Sequence, residues 1–128
     1  MISQSFPVSL EHQLTKQVFK KDTAARYGSG LVEVFATPAL IALMEKTCLL
    51  AVAPFLTEGL STVGTEVTVS HLKATPVSAI VTCRCKLLSH IGNKLVFETK
   101  AWDETGLIGE GTHTRYIVNL ARFMAKLK

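Results

Sequence analysis

Three residues in this chain have side chains and neighbours that suit acid–base or nucleophilic chemistry. Glu45 lies in the run ATPALIALMEKTCLLAVA, with Ile41, Ala42, Cys48 and Leu49 three and four positions away, so helical spacing puts its carboxylate on an apolar face. A carboxylate there is costly unless it is paired or put to work, and lost hydration makes it a stronger general base near neutral pH. A surface salt bridge, or an ion pair across a subunit interface, accounts for it without chemistry. His71 ends an alternating run and shares parity with Val63, Thr65, Val67 and Val69, which is the apolar side. An imidazole pointing there donates a hydrogen bond or shuttles a proton; the competing reading is a core histidine bonded to a backbone carbonyl. Thr37 precedes Pro38, and Thr-Pro at a helix start reads as an N-cap followed by proline at the first helical position. Its hydroxyl also sits beside free helix N–H groups, where negative charge developing on a carbonyl oxygen is stabilised. Thr37 and Glu45 are eight residues apart, about 12 Å along a helix axis. One chain therefore does not close the trio alone, and a cleft shared between subunits is expected.

Other positions bear on the same question. Gly64 interrupts an alternating run, which marks a bulge or a close backbone approach and leaves room for a ligand. Gly109 and Gly111 interrupt the last such run, ahead of His113 and Arg115, two residues apart on one face. That pair is read as a phosphate contact or, more ordinarily, as solvated side chains. Cys83 and Cys85 share the parity of Ala79, Val81 and Leu87 and are read as small hydrophobes, and Cys48 as inert packing among leucines. His12 and His90 read as surface loop residues. No glycine-rich phosphate loop, serine nucleophile elbow or zinc-ligand spacing occurs.

The elements that must position these residues follow from periodicity. Residues 1–13 carry little pattern, and 14–20 alternate loosely as a first strand. Residues 22–30, with Tyr27-Gly28-Ser29-Gly30, form a flexible connector that leads into 31–35 and is placed to move as a flap. A helix is expected over 38–53, ended by Pro54, and it is apolar nearly all the way round, as a buried helix is. Residues 61–72, 79–88, 94–103 and 107–119 alternate between turn signals and read as four successive strands, with a short helix from 120 to 128. One strand, a long buried helix and a four-strand antiparallel meander make an α+β domain with a five-stranded sheet wrapped around the helix, over 1–128.

Composition agrees with a single packed domain. The chain has 128 residues, 48% of them hydrophobic and 19% charged, which is enough apolar material for a core. The start MISQSFPVSLEHQ has neither a basic lead nor an apolar run, and three cysteines make no even framework, so a soluble chain in a reducing cytoplasm is expected. The net charge of +4 is scattered and not interleaved with aromatics, which speaks against nucleic acid and suits a phosphate-bearing coenzyme.

The stretches VFATPALIALMEKTC, VGTEVTVSHLKATP and GEGTHTRYIVNLARFMAK resemble, in that order, the fluoroacetyl-CoA thioesterase family of hotdog proteins. The resemblance implies a hotdog fold, thioester hydrolysis, and a catalytic set of Thr37, Glu45 and His71. It further implies that Gly64 and Arg115 lie near the water and the thioester, with Leu31 and Phe35, from the segment before the helix, as substrate contacts. The stretch GSGLVEV of that segment, residues 28–34, has Leu31 and glycines and no aromatic residue, so the substrate expected is a general short or medium acyl-CoA. No metal or cofactor is expected, CoA being part of the substrate. The expected partners are acyl-CoA and a second copy of the chain, with neither nucleic acid nor membrane. A non-catalytic acyl-CoA binder and an enoyl-CoA hydratase are the alternatives.

Overall fold

A computed structural model describes residues 5–127. Five antiparallel strands form one sheet: β1 (Glu11–Gln17), β2 (Leu60–His71), β3 (Ile80–Ile91), β4 (Lys94–Asp103) and β5 (Gly106–Asn119). Their spatial order is β1-β3-β4-β5-β2, so β1 and β2 are the two edges. Among the described residues three α-helices accompany them: α1 (Ala24–Tyr27), α2 (Thr37–Val52) and α3 (Leu120–Ala125). The sheet carries Val81, Cys83, Cys85 and Leu87 of β3 and Leu95, Phe97 and Ala101 of β4 against α2, all buried. Period-2 alternation puts these residues on one face, and α2 fills the trough they make.

The buried face of α2 is Ala39, Leu40, Leu43, Met44, Thr47, Cys48, Ala51 and Val52, a stripe repeating every three to four residues. Ile41, Glu45, Leu49 and Leu50 are half-buried, while Ala42 and Lys46 are exposed. The expectation of a helix enclosed on all sides is thus corrected: the sheet covers one face and leaves the other open in a single chain. The stretch Thr37–Phe55 is long and apolar enough to cross a membrane by length and composition. Here it is the helix that the sheet clasps.

Boundaries moved in instructive ways. β1 begins at Glu11, so 11–13 are paired strand rather than irregular, and His12 lies opposite Cys85 within that ladder. His90 is likewise on a strand, in β3, with its ring 4.8 Å from that of Phe6. Neither is a loop histidine. The irregular segment expected before residue 11 is described only from residue 5, and 1–4 and 128 lie outside the described residues. The connector folds into α1 and is fastened at its base, where the Ala24 N–H donates to the Val34 carbonyl and the Phe35 N–H to that of Thr75.

β2 holds the largest correction to the parity reading. Gly64 pairs with Arg115 and Glu66 with Thr114, leaving Thr65 as the extra residue of a β-bulge. Parity flips there, so the inner face is Thr62 and Gly64, then Val67, Val69 and His71. Val63, opposite the exposed Tyr116, is on the outer face. The glycine did mark a bulge; the single alternating face drawn through Val63 and Thr65 did not survive it.

Candidate functional site

Two polar groups face the helix from the sheet, one at the start of α2 and one near its middle. At the start, Thr37 does not cap. The N-cap is Ala36, Pro38 falls one position further in, and no side chain caps the helix. The helix begins one residue earlier than Thr-Pro suggests, because the Leu40 N–H already donates to the Ala36 carbonyl. The Thr37 hydroxyl is thereby left for His71, with Oγ1 and Nδ1 2.8 Å apart. His71 Nε2 is buried without a hydrogen-bond partner, the only such side-chain atom among the described residues. Burial lowers the His71 pKa from its ordinary value, favouring the neutral ring. A pocket of about 390 Å³ opens here, lined by Thr37, His71, Phe35, Ala36, Ser29 and Lys73 among others.

The second group is built under Gly64. Arg115 is 6% exposed. Its Nε donates to Thr62 Oγ1 at 2.7 Å, its Nη2 to the Thr62 carbonyl at 2.9 Å, and its Nη1 to His113 Nε2 at 3.1 Å. Since Nε2 accepts, Nδ1 carries the proton and donates to the Glu66 carbonyl at 2.8 Å, beside the bulge. Burial, with the Arg115 charge adding to it, lowers the His113 pKa and keeps the ring neutral. Burial also works against the Arg115 charge, and the Glu45 carboxylate works for it. Glu45 Oε2 stands 4.0 Å from Arg115 Nη1, the outer limit of an ion pair and too far for a hydrogen bond. The guanidinium is therefore locked by neutral acceptors while the carboxylate it attracts stays free to move.

Gly64 makes this approach possible. A Cβ at that position would lie 2.7 Å from Glu45 Oε2, 3.0 Å from His113 Cε1 and 3.2 Å from Arg115 Nη1. Glu45 itself is 42% exposed, so it is not desolvated in one chain as its apolar neighbours suggest. The open helix face explains this, for nothing in the same chain covers it. His113 and Arg115 reverse the opposite way: read as solvated, they are buried, because alternation along β5 puts them on the inner face with Ile117.

The structure places the sequence candidates unevenly. It joins Thr37 to His71, and Glu45 to Gly64 and Arg115, but leaves the two groups separated along α2. Phe35 is buried and lines the pocket, whereas Leu31 is 99% exposed and is not among the lining residues. Thr62 was overlooked, although it shares the inner face with Gly64; only the bulge reveals that parity. The three thiols are buried as small hydrophobes should be: burial pushes Cys83 up to about 11, and the hydrogen bond between Cys48 and Cys85 raises Cys48, with burial adding to it, and lowers Cys85. Among the described residues no cluster of three or more His, Cys, Asp or Glu is placed to hold a metal.

Known proteins match this chain in sequence and fold. The model of the fluoroacetyl-CoA-specific thioesterase (FlK) family matches residues 18–121. The fluoroacetyl-CoA thioesterase of Streptantibioticus cattleyicolor is 41% identical over 96 residues, covering 75% of this chain and 69% of that protein. A solved structure of a variant of FlK in complex with fluoroacetate and CoA superposes with a TM-score of 0.87 at 33% identity, over 92% of this chain and 99% of that one. A Thermus thermophilus thioesterase superfamily member gives a TM-score of 0.90 at 26% identity, over 98% of this chain and 93% of that one. A five-stranded sheet around one long helix, matched over nearly its whole length by these structures, is the hotdog fold, and the chain belongs to the fluoroacetyl-CoA-specific thioesterase family.

Proposed function

We propose that this chain hydrolyses short or medium acyl-CoA thioesters to the free acid and CoA, using Glu45, Thr37 and His71. The observation that carries the reading is the Glu45 carboxylate, accessible and unbonded, held beside a buried arginine. Glu45 acts on the thioester carbonyl as a nucleophile, or as a base on a water. The first-turn N–H groups of α2 stabilise the developing oxyanion, and the Thr37 hydroxyl, donating to His71 Nδ1, holds the ring with its proton on Nε2. His71, neutral near pH 7, assists departure of the CoA thiolate through its unpaired Nε2. No step needs a resident cofactor. Gly64 and Arg115 serve by setting where the carboxylate rests.

The reading includes a second copy of the chain. Along α2 the Thr37 and Glu45 positions are about 12 Å apart, so the trio converges only if the partner subunit's Glu45 meets Thr37 and His71. β2 is an open edge, with its run from Gly64 to Thr68 exposed. Pairing two such edges antiparallel about the middle of that run carries the His71 end of one strand toward the Gly64 end of the other. It also covers the half-buried Ile41, Glu45 and Leu49 face of α2 and supplies the desolvation that one chain lacks. Three free buried cysteines suit a reducing cytoplasm.

Thiol release from a series of acyl-CoA chain lengths tests the activity. Glu45→Gln should lower kcat by about 10²–10⁴-fold. Undiminished turnover in that variant, or tight acyl-CoA binding without thiol release by the parent, would overturn the reading.

A further inference from the structure

The pocket at Thr37 and His71 has one charged side chain in its wall. The other lining residues are small, apolar or uncharged, including Ala24, Val34, Leu72 and Ala74, and the helix start contributes the positive end of a dipole. The exception is Lys73, two residues beyond His71 and so about 7 Å further along an extended backbone. Its side chain is 41% exposed, and its ammonium donates to both oxygens of Asp103 at 3.0 and 3.2 Å.

Asp103 does not depend on that lysine. It is 4% exposed and accepts further hydrogen bonds from the Thr75 hydroxyl at 3.0 Å and from the Thr105 N–H and hydroxyl, both at 2.8 Å. A buried carboxylate with three other donors needs no exposed ammonium for its own satisfaction. The carboxylate instead fixes an otherwise mobile lysine at the rim. A lysine has three N–H donors, so at least one is left unengaged by Asp103.

We propose that Lys73 is a substrate-binding residue that takes an anionic oxygen group of the thioester substrate at the mouth of this pocket. The inference rests on the acyl-CoA reading above. Two sources carry that chemistry: the phosphates of the coenzyme, which leave the pocket with the pantetheine arm, and a terminal carboxylate on the acyl chain. The pocket is of drug-ligand size and smaller than a whole acyl-CoA, so the nucleotide end must pass the rim where Lys73 stands.

The test compares the parent, Lys73→Gln, Lys73→Arg and, as a control for lost surface charge, Lys100→Gln on the opposite face of the sheet. Thiol release is measured with butyryl-CoA, butyryl-pantetheine and succinyl-CoA, and CoA binding by calorimetry, which reads the phosphate contact without turnover. Lys73→Gln should raise KM for the charged substrate by about five-fold, the size of one partly exposed charge contact, while Lys73→Arg retains affinity. A rise with butyryl-CoA that disappears with butyryl-pantetheine assigns the phosphates. A rise confined to succinyl-CoA assigns the acyl carboxylate. Changes below about two-fold with both CoA esters, or an equal change with butyryl-pantetheine or in Lys100→Gln, overturn the proposal. Absence of thiol release by the parent from every thioester counts against the hydrolase reading alone, and loss of CoA affinity in Lys73→Gln then still supports the contact. If the Gln variant does not fold, Lys73→Arg and the salt dependence of KM in the parent decide the matter.

Discussion

Glu45 and Arg115 are 4.0 Å apart because the arginine is already committed to Thr62 and His113. An arginine bonded directly to the carboxylate would hold it in place and blunt it. Held one step back, the cation leaves the carboxylate oxygens unengaged. Gly64→Ala brings a methyl to within 2.7 Å of Glu45 Oε2, and the long Glu45 side chain can swing aside. The expected outcome is a fall in kcat of about ten-fold or more with little change in melting temperature, read by parallel kinetics and calorimetry. His113 sets a pH limit. Its folded pKa lies below the ordinary 6.5, so the unfolded chain takes up a proton first as the pH falls. Stability is therefore full above pH 6.5 and is lost as the pH drops below it toward the lower folded value. His71 is shifted the same way and adds to the effect. Thermal melts from pH 8 downward should show this acid-side loss, and it should weaken in His113→Gln, whose amide can accept from Arg115 and donate to the Glu66 carbonyl. A melting temperature indifferent to pH across that window would contradict a buried neutral His113.

At the scale of elements, α2 starts one residue earlier than its Thr-Pro signature suggests, and that shift frees the Thr37 hydroxyl for His71. A true N-cap threonine costs about 1 kcal/mol when removed. Thr37→Ala should therefore leave stability nearly unchanged while lowering kcat; a large drop in melting temperature with retained turnover would restore the capping role. The ladders were legible because each strand alternates: β4 falls on the residues its alternation marks, and β2, β3 and β5 are displaced by one to three residues at an end. The bulge at Thr65 was signalled by Gly64, but its effect on parity was not, since one extra residue has no signature of its own in the pattern. His113 and Arg115 were placed on one face correctly and in water wrongly, because polar side chains are mostly exposed and alternation does not say which face of β5 is the inner one. Glycine at 111 has a plain cause, for a Cβ there would run into the Thr68 carbonyl across the β2–β5 ladder. Gly111→Ala should destabilise the fold by about 1–3 kcal/mol, measurable by denaturant unfolding.

For the whole molecule, the family resemblance carried by three separated stretches identified the fold and the thioesterase class, and the family match bears both out. What one chain cannot supply is the closed site. It leaves an exposed strand edge, an open face of α2, a buried Nε2 without a partner and a half-exposed carboxylate. The two-fold partner proposed above would account for all four. The most direct test is complementation between two inactive variants, Glu45→Gln and His71→Ala, each purified alone and also co-expressed so that mixed dimers form. In a mixed dimer the Thr37 and His71 of the first chain meet the partner subunit's Glu45, so one intact site is rebuilt in each. The expected result is recovery of about a quarter of the parent thiol-release activity, since half the dimers are mixed and each has one working site of two. Activity no higher than the sum of the separate variants, in a sample shown to contain mixed dimers, would contradict the shared site.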